Sequence, residues 1–584
     1  MRARFLGSLA LGVFLSGAMA VAQAPIIPPG SSVPGPLGPR GQMPPRDATS
    51  PIPTGTSRIS GRVVSTDGMP LRRATVRVTS TEIRVNRSAT TDADGRYEVT
   101  SLPAGRYSIA VSRNGYVTLQ FGQQRPLEPG RPLDLGNGQL MDRIDFALPR
   151  GSVIAGRITD ELGEPMAGVR VQAMRYQYLP SGQRQLVPVV TGPAFSLVTN
   201  DLGEFRVFGL MPGTYLVGAT YEDRMMMAAP LDPGSPPRGN ENDGYAVTYY
   251  PGSVSSEDAQ PVTVGIAEEA AASFALVPAR MTRISGLVRN SQGRPVVGVF
   301  LTVRTGMGMG MMMSRGGSTT GADGSFTINN LAPGEHWIEV YPRSSGDEWA
   351  SIPITLPAGG EITNLVITTS PGATISGQVI FEGTSTSPKP ERIIVTTPEP
   401  GGSPPSRGMD DSGVIDESGR FQLKGVSGRA LFRATQLAPG TSSTWAIKSV
   451  SLNGVDLTDT PLDIAKSGDI SGVEIVISDK QTTVSGSVRN ARGEAIKDYT
   501  VAFFPDRLKE GALPMRFTRT ARPDQQGRFE SRGLPPGDYL AVAVESLEQG
   551  GQWDPEFRKR VEPSAKRFRL TEGQSTTVDL QLMQ

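Results

Sequence analysis

Three short sequence patterns recur five times in the same order, and this repeat constrains the fold more than any other feature of the chain. The opening pattern is an alternating strand with glycine at its centre, found at Gly61, Gly156, Gly286, Gly377 and Gly486. An acidic turn leading into an aromatic residue follows, and then the closing pattern Leu-x-x-Gly-x-aromatic. Such ordered repetition indicates a chain built from copies of one structural unit.

The middle and closing patterns both predict β-hairpins. Asp and Gly tolerate the positive φ of tight turns, and the aromatic residue after each glycine is expected to point into a core. Copies of the middle pattern run Asp94 to Tyr97, Asp201 to Phe205, Asp323 to Phe326, Asp416 to Phe421 and Asp524 to Phe529. Copies of the closing pattern include Leu102 to Tyr107, Leu210 to Tyr215 and Leu534 to Tyr539. Short alternating strands without a helical run of ten or more residues predict an all-β array of antiparallel sandwiches.

The repeats set the predicted domain boundaries. We predict a signal peptide over residues 1–24, a Pro-rich disordered linker over 25–56, and five β-sandwich modules. These are module one (57–149), module two (150–279), module three (280–370), module four (371–479) and module five (480–584). The linkers between modules are only a few residues long, which predicts a stiff, elongated rod.

The N-terminus has the pattern of an export signal. Arg2 and Arg4 precede an apolar stretch of about 15 residues, which is shorter than the ~20 residues of a membrane-spanning helix. Small residues follow, and cleavage is expected after Ala20 or Ala22. We therefore predict an exported chain located in the periplasm, at the cell surface or in the medium, with no transmembrane segment after cleavage.

The set of motifs resembles the carboxypeptidase regulatory-like domain, a seven-stranded prealbumin-like sandwich close to the Cna B-type fold. The resemblance covers residues 57–584, and it implies a tandem array of five such sandwiches. In a carboxypeptidase this domain is an accessory to the catalytic domain, so the resemblance is specific for the fold and only weakly specific for a function.

The residue composition argues against an enzyme. A zinc carboxypeptidase holds its metal with two imidazoles and a carboxylate, whereas this chain has one histidine, His336, and no cysteine. His336 lies inside the closing pattern of module three, where a structural role is expected. Acidic pairs of the glycosidase type are possible by number, but the acids recur at hairpin turns. We predict no enzymatic activity and no cofactor.

A methionine-rich loop in module three has a pattern that suits a soft metal. Clustered thioethers bind Cu(I), so weak copper binding is one interpretation, and a mobile linker with adaptable side chains is the other. The candidate ligands are Met307, Met309, Met311, Met312 and Met313.

Aromatic residues outside the core patterns form a candidate binding surface for a glycan or a protein partner. Similar loops follow the closing pattern in modules one and two, and they contain Tyr116, Phe121, Tyr245, Tyr249 and Tyr250. Exposed rings could stack on sugars, whereas edge strands could instead pack these rings on their own sheets. Both interpretations stay open at this stage.

Three functional classes follow from the sequence. The favoured class is an exported, non-catalytic structural or protein-interaction rod of the cell envelope. Its alternatives are a carbohydrate-binding protein and an accessory to an envelope enzyme or transporter. The expected partner is an unidentified envelope protein or polysaccharide. Nucleic acid is not expected, because 58 basic and 57 acidic side chains nearly cancel and no block of one sign occurs.

Overall fold

The computed structural model places all but a few segments of the repeat region. It describes residues 53–80, 82–83, 85–125, 127–180, 182–189, 198–221, 243–305, 314–341, 348–357, 359–385, 389–396, 413–435, 445–464 and 468–583. The predicted signal peptide, most of the Pro-rich linker and the methionine-rich loop lie outside these ranges. The names module one to module five are kept below for the predicted segments.

Module one shows how each opening strand organises two sheets. Its strands are β1 (Ser57–Ser65), β2 (Thr75–Ser80), β3 (Val85–Thr90), β4 (Arg96–Leu102), β5 (Gly105–Ser112), β6 (Leu119–Gln120), β7 (Leu133–Leu135), β8 (Leu140–Met141) and β9 (Phe146–Leu148). The opening strand β1 runs antiparallel to β4 and parallel to β8 and β9. The second sheet has the order β3-β2-β5-β6, with β7 also paired to β5.

Module two repeats this plan with longer loops. Its strands are β10 (Ser152–Thr159), β11 (Val169–Tyr178), β12 (Arg184–Pro188), β13 (Glu204–Leu210), β14 (Gly213–Tyr221), β15 (Asp243–Tyr245), β16 (Thr248–Tyr249), β17 (Val262–Val264), β18 (Glu269–Ala271), β19 (Phe274–Ala275) and β20 (Pro278–Arg280). The opening strand β10 pairs antiparallel with β13 and parallel with β18 and β19. The facing sheet has the order β12-β11-β14-β16.

Modules three and four have long, continuous closing strands. Module three contains β21 (Thr282–Arg289), β22 (Phe300–Thr305), β23 (Ser314–Thr319), β24 (Ser325–Leu331), β25 (Gly334–Tyr341), β26 (Ala350–Leu356) and β27 (Gly360–Thr368). Module four contains β28 (Ala373–Glu382), β29 (Arg392–Thr396), β30 (Arg420–Val426), β31 (Arg429–Thr435), β32 (Ala446–Leu452), β33 (Val455–Asp456), β34 (Leu462–Asp463) and β35 (Ile470–Ser478). The sheets of the opening strands have the orders β24-β21-β27 and β30-β28-β35-β32-β33.

Module five adds a short helix to the same plan. Its strands are β36 (Thr483–Arg489), β37 (Thr500–Pro505), β38 (Arg519–Ala521), β39 (Arg528–Arg532), β40 (Gly537–Val544), β41 (Lys566–Leu570), β42 (Ser575–Thr577) and β43 (Leu580–Gln581). Helix α1 (Pro555–Val561) begins after Asp554, whose side chain accepts a hydrogen bond from the Glu556 backbone N–H, and it buries Phe557 and Val561. Short 3₁₀ turns cover Pro514–Arg516, Gly551–Trp553 and Glu562–Ser564.

The central glycine of each opening strand is required because the closing segment approaches it closely. A β-carbon built on Gly61 would lie 2.1 Å from the carbonyl oxygen of Ile144. Equivalent approaches of 2.5, 1.9, 2.0 and 2.2 Å occur at Gly156, Gly286, Gly377 and Gly486. Real β-carbons do not reach such distances, so only glycine fits. The repeated glycine therefore marks where the parallel closing segment comes closest to each opening strand.

Each opening strand contributes to its own hydrophobic core. One buried cluster joins Ile59 of β1 to Val76 of β2 and Ile109 of β5, and so bridges the two sheets of module one. Comparable clusters surround the fully buried Ile154, Ile284, Ile375 and Val484. Facing sheets with a shared core define β-sandwiches, which confirms the predicted all-β fold class.

The prediction of a stiff, elongated rod disagrees with contacts between module five and modules that are distant from it in sequence. Residues Ile52–Gln584 form one compact unit. Arg522 of module five forms an ion pair with Glu128 of module one, and Arg175 of module two forms one with Glu548. Short linkers limit the separation of neighbours in sequence, but they do not prevent distant modules from meeting.

Candidate functional site at the boundary of modules one and five

A buried ion-pair cluster joins modules one and five. Arg522 follows β38, and Glu128 lies in the loop between β6 and β7. Their side chains are only 3% and 1% exposed, and Arg522 Nη1 donates to Glu128 Oε1. Arg522 Nη2 also lies 3.0 Å from Asp498 Oδ1. Burial lowers the pKa of Arg522, while the carboxylates of Glu128 and Asp498 act in the opposite direction.

The loop of module one is shaped to present Glu128. Its Oε2 accepts hydrogen bonds from the backbone N–H groups of Gln124 and Arg125, at 3.3 and 3.4 Å. The carbonyl of Gly122 in the same loop accepts a 3.4 Å bond from Arg522 Nη2. A buried carboxylate with several donors is far less costly than an isolated buried charge. Docking of module five therefore completes the environment of this carboxylate.

Polar contacts around this ion pair fix the register of the two modules. Arg131 Nη2 donates to Asp498 Oδ1 at 2.6 Å. Gln525 forms a reciprocal pair with the backbone of Asp134, accepting from its N–H at 3.2 Å and donating to its carbonyl at 2.8 Å. Two hydrogen bonds to the backbone of one residue constrain both position and orientation.

A polar cleft of about 490 Å³ opens beside these contacts. Arg106 of module one contacts Asp134 at 2.8 Å and Glu530 of module five at 3.5 Å. Arg532 of module five contacts Glu82 of module one at 3.2 Å. The lining alternates positive and negative side chains, with amides of Gln139, Gln525 and Gln526 between them. Such a surface suits a polar partner more than an apolar one.

Module five also contacts modules two and four. Gln177 donates to the Gln549 carbonyl at 3.1 Å, beside the ion pair of Arg175 and Glu548 at 2.6 Å. Across the boundary with module four, Lys509 contacts Asp456 at 2.5 Å. The hydrogen bond from Lys509 is the main reason that the pKa of Asp456 is lowered to about 2. Module five thus contacts three other modules, and sequence reasoning identified none of these residues.

The candidate aromatic residues pack on their own modules. Tyr249 is buried, whereas Tyr116, Phe121, Tyr245 and Tyr250 are half-buried and pack against the cores of modules one and two. Among the described residues, no ring of the loop in module one contacts a ring of the loop in module two, so the two loops do not form one binding platform. A glycan site at these residues stays a prediction, and each ring has at least part of its surface engaged within the protein.

The contacts of Tyr250 give a testable expectation. Its ring meets Phe274 edge-on, with centroids 6.0 Å apart, and its backbone N–H donates to the Val217 carbonyl. We expect Tyr250→Ala to lower the unfolding free energy of module two by about 2–3 kcal/mol, because ring contacts with the core are lost. Tyr250→Phe keeps the ring and should stay within about 1 kcal/mol of the wild type. Urea unfolding followed by fluorescence measures both, and equal stability of the Ala variant would contradict the packing role.

Polysaccharide binding distinguishes the two interpretations of the aromatic loops. If the loops bind glycans, Tyr116→Phe should retain binding while Tyr116→Ala loses it in a folded protein. Binding that survives alanine at Tyr116, Tyr245, Tyr249 and Tyr250 together would exclude these loops as the site.

His336 performs the structural task of a tyrosine. In three modules the tyrosine of the closing pattern donates its hydroxyl proton to the carbonyl four residues earlier. The pairs are Tyr107 to Pro103, Tyr215 to Met211 and Tyr539 to Pro535, at 2.6 to 2.7 Å. Nε2 of His336 lies 2.7 Å from the Ala332 carbonyl oxygen, at the same offset, and the side chain is 2% exposed. This geometry agrees with the structural role expected for the histidine.

In modules one and two the residue that caps the turn of the middle pattern is not the Asp with which the pattern begins. In module one Asp92, rather than Asp94, accepts hydrogen bonds from the backbone N–H groups of Asp94 and Arg96. In module two Asn200, rather than Asp201, accepts from Leu202 and Glu204. Asp416 and Asp524 of modules four and five also lie three residues before the turn glycine and accept such bonds. In module three that position is Gly321, and Asp323 accepts from the Ser325 backbone N–H.

The remaining site prediction lies beyond the described part of the chain. Met307, Met309 and Met311 to Met313 are outside it, so copper binding there stays a prediction. Among residues with described positions, no group of three or more His, Asp or Glu side chains suits a metal ion. No helix in those ranges has the length and apolar character needed to cross a membrane.

Comparison with known proteins agrees with the fold and the repeated motifs. The repeats define a multi-domain chain of prealbumin-like β-sandwiches. Residues 58–148 and 283–370, within modules one and three, match the carboxypeptidase regulatory-like domain. These two segments are therefore similar in sequence to that domain family. Among curated proteins, no sequence matches the chain.

Solved structures with similar folds include pilins. A streptococcal ancillary pilin is 13% identical, with a TM-score of 0.21, and the alignment covers 54% of this chain and 98% of the pilin. The minor pilin GBS52 of Streptococcus agalactiae is 14% identical, with a TM-score of 0.20 and coverages of 38% and 95%. The major pilin subunit BcpA of Bacillus cereus is 9% identical, with a TM-score of 0.15 and coverages of 52% and 99%. At these values the likeness establishes no shared function.

Proposed function

We propose that this chain is an exported, non-catalytic scaffold of the cell envelope that presents its module surfaces to a polar partner. The buried ion pair of Arg522 and Glu128 carries the proposal, because it ties the last module to the first. A set of flexibly linked modules would not need such a contact. We further propose that the five predicted segments are the units in which the chain folds.

The role of His336 supports the non-catalytic part of the proposal. Its Nε2 is committed to the Ala332 carbonyl, and the side chain is buried in the closing pattern of module three. A catalytic base must instead reach the reacting group of a substrate. The matches to a regulatory-like domain, rather than to a peptidase domain, point in the same direction.

Substitution of His336 tests its structural role. We expect His336→Tyr to remain within about 1 kcal/mol of the wild type, since three modules carry tyrosine at this position. His336→Phe should lose about 1–3 kcal/mol, because the buried Ala332 carbonyl would lack this donor. Thermal and urea unfolding give both values. A His336→Phe variant as stable as the His336→Tyr variant would contradict the role of this side chain as a hydrogen-bond donor to Ala332.

Cell fractionation tests the export part of the proposal. The arginines, apolar stretch and small residues of the N-terminus predict a mature chain that starts at Val21 or Gln23. We expect this species in the envelope or medium, identified by mass spectrometry of its N-terminal peptide. Intact chain that retains the segment before Ala20 and stays in the cytosol would overturn the proposal. A cytosolic marker protein controls for cell lysis.

Cross-linking of the exported chain tests the scaffold arrangement separately. Lys497 of module five is a suitable reporter, because its neighbour Asp498 contacts Arg131 of module one. A carbodiimide can link this lysine to acidic residues of module one, such as Asp134. Links between modules one and five in monomeric protein support the scaffold. An exported chain that shows links only between consecutive modules would keep the export proposal and reject the scaffold.

A further inference from the structure

The closing strand of module three differs from its counterparts in length and in its outer edge. In modules one, two and five the closing segment is divided into two short strands, such as β8 and β9. In module three it is the nine-residue strand β27, which pairs with β21 along most of its length. Among the described residues, the opposite edge of β27 has no strand, and the adjacent Ser370 forms only a single bridge with Trp349.

Module four shows what occupies this edge when it is filled. Its closing strand β35 pairs with β28 in the register that β27 has with β21, because Val473 lies opposite Gly377 as Leu365 lies opposite Gly286. The outer edge of β35 is covered by β32, which runs antiparallel from Leu452, opposite Val473, to Ala446, opposite Ser478. The equivalent edge of β27 therefore has the geometry to accept an antiparallel strand.

The outer face beside this edge is apolar only in module three. In every module, the residue after the opening glycine lies opposite a residue of the closing segment, and the two side chains form a pair on this face. The pairs are Arg62 with Asp145, Arg157 with Ser273, Leu287 with Val366, Gln378 with Glu474, and Ser487 with Asp579. Val366 is 54% exposed. A free strand edge next to an exposed Val366 and a half-buried Leu287 is a contact surface, since polar residues normally protect such edges.

We propose that the free edge of β27 binds β27 of a second copy of this chain in antiparallel orientation. A two-fold axis between identical edge strands produces antiparallel pairing, which is the orientation of β32 on β35. Residues Leu365 to Thr368 carry no charge, so the two copies meet without repulsion. The exposed Val366 side chains of the two copies would then shield each other from water.

Charge complementarity distinguishes this partner from a strand like β32. In module four Lys448 of β32 contacts Glu382 and Glu572, at 2.7 and 3.0 Å. Glu382 belongs to β28 and Glu572 to module five, and the residue of module three that corresponds to Glu382 is Ser291. A strand carrying lysine would therefore not gain those ion pairs here, whereas the uncharged part of β27 fits itself.

Sedimentation equilibrium of the purified chain across a dilution series tests the proposal. One strand edge is smaller than a standard interface of about 1,600 Å², so we expect dimers only at high protein concentration. Val366→Asp introduces the residue that modules one and five carry at this position. Because those modules fold with Asp there, we expect the variant to keep the fold of module three. It should weaken dimerisation by about tenfold or more, because two carboxylates would meet at the interface.

A matched control separates this edge from general surface effects. Val297 lies in the same module and is 53% exposed, so Val297→Asp makes the same chemical change away from β27. We expect it to dimerise like the wild type. A wild-type chain that stays monomeric at every concentration, a Val366→Asp chain that dimerises normally, or growth into open-ended assemblies would each overturn the proposal.

Discussion

Gly61→Ala is expected to prevent folding of module one. The added β-carbon would lie 2.1 Å from the Ile144 carbonyl oxygen, which is backbone and cannot rotate away. Relief of this overlap must separate β1 from the closing segment, to which it is hydrogen-bonded through β8 and β9. We expect a loss of more than about 4 kcal/mol, a size reached only by severe disruption of a core.

Limited proteolysis with peptide mapping measures this effect in the whole chain. New cleavages should concentrate between residues 57 and 149, while module three stays protected. Gly68→Ala is the control. Gly68 lies in the turn after β1, and a β-carbon added to it would have no atom within 4 Å. Its φ of +80° should cost about 1–2 kcal/mol and leave the module folded. Equal effects of the two variants would show that close approach is not the reason for the glycine.

Arg522→Ala is expected to release module five from module one. The substitution leaves the carboxylate of Glu128 buried without its main partner, and breaking a buried pair in this way costs about 3–5 kcal/mol. Arg125→Ala is the control within the same boundary, because its partner Glu545 is 69% exposed. Exposed pairs contribute about 0–1 kcal/mol, so this control should leave the modules together.

Fluorescence energy transfer between modules one and five measures the release. The chain has no cysteine, so Asp67→Cys and Glu510→Cys provide specific labelling positions. We expect a longer and broader distance distribution for Arg522→Ala. Replacing both partners, as Arg522→Met with Glu128→Leu, should restore much of the docking because neither charge is then buried alone. An unchanged distance in Arg522→Ala would show that the ion pair does not hold the modules together.

The sequence was sufficient to predict the sandwich fold because each local signal agrees with the others. Alternating strands, turn residues and the opening glycines all describe contacts within one module. The role of His336 followed from its place in the closing pattern. The sequence also predicted the turns of the middle pattern, but it did not show which residue caps them, since Asp92 and Asn200 each precede an acidic residue of the same turn.

Contacts between distant modules could not be predicted in this way. Arg522 is one of 58 basic residues, and nothing in its neighbouring sequence separates it from arginines at exposed turns. Its partner Glu128 lies 394 residues earlier, far beyond the range of any local pattern. The same limitation applies to the free edge of β27, because the sequence of a strand does not show whether another strand covers its edge.

The contact of Arg522 with Glu128 also sets an order of assembly. Domains generally fold one after another as a chain emerges, so module one is complete long before module five exists. Until then Glu128 is hydrated and module one exposes the surface that module five later covers. The contact between modules one and five therefore forms only after all intervening modules have been made. A chain truncated after module four would keep this polar surface of module one open to other binding partners.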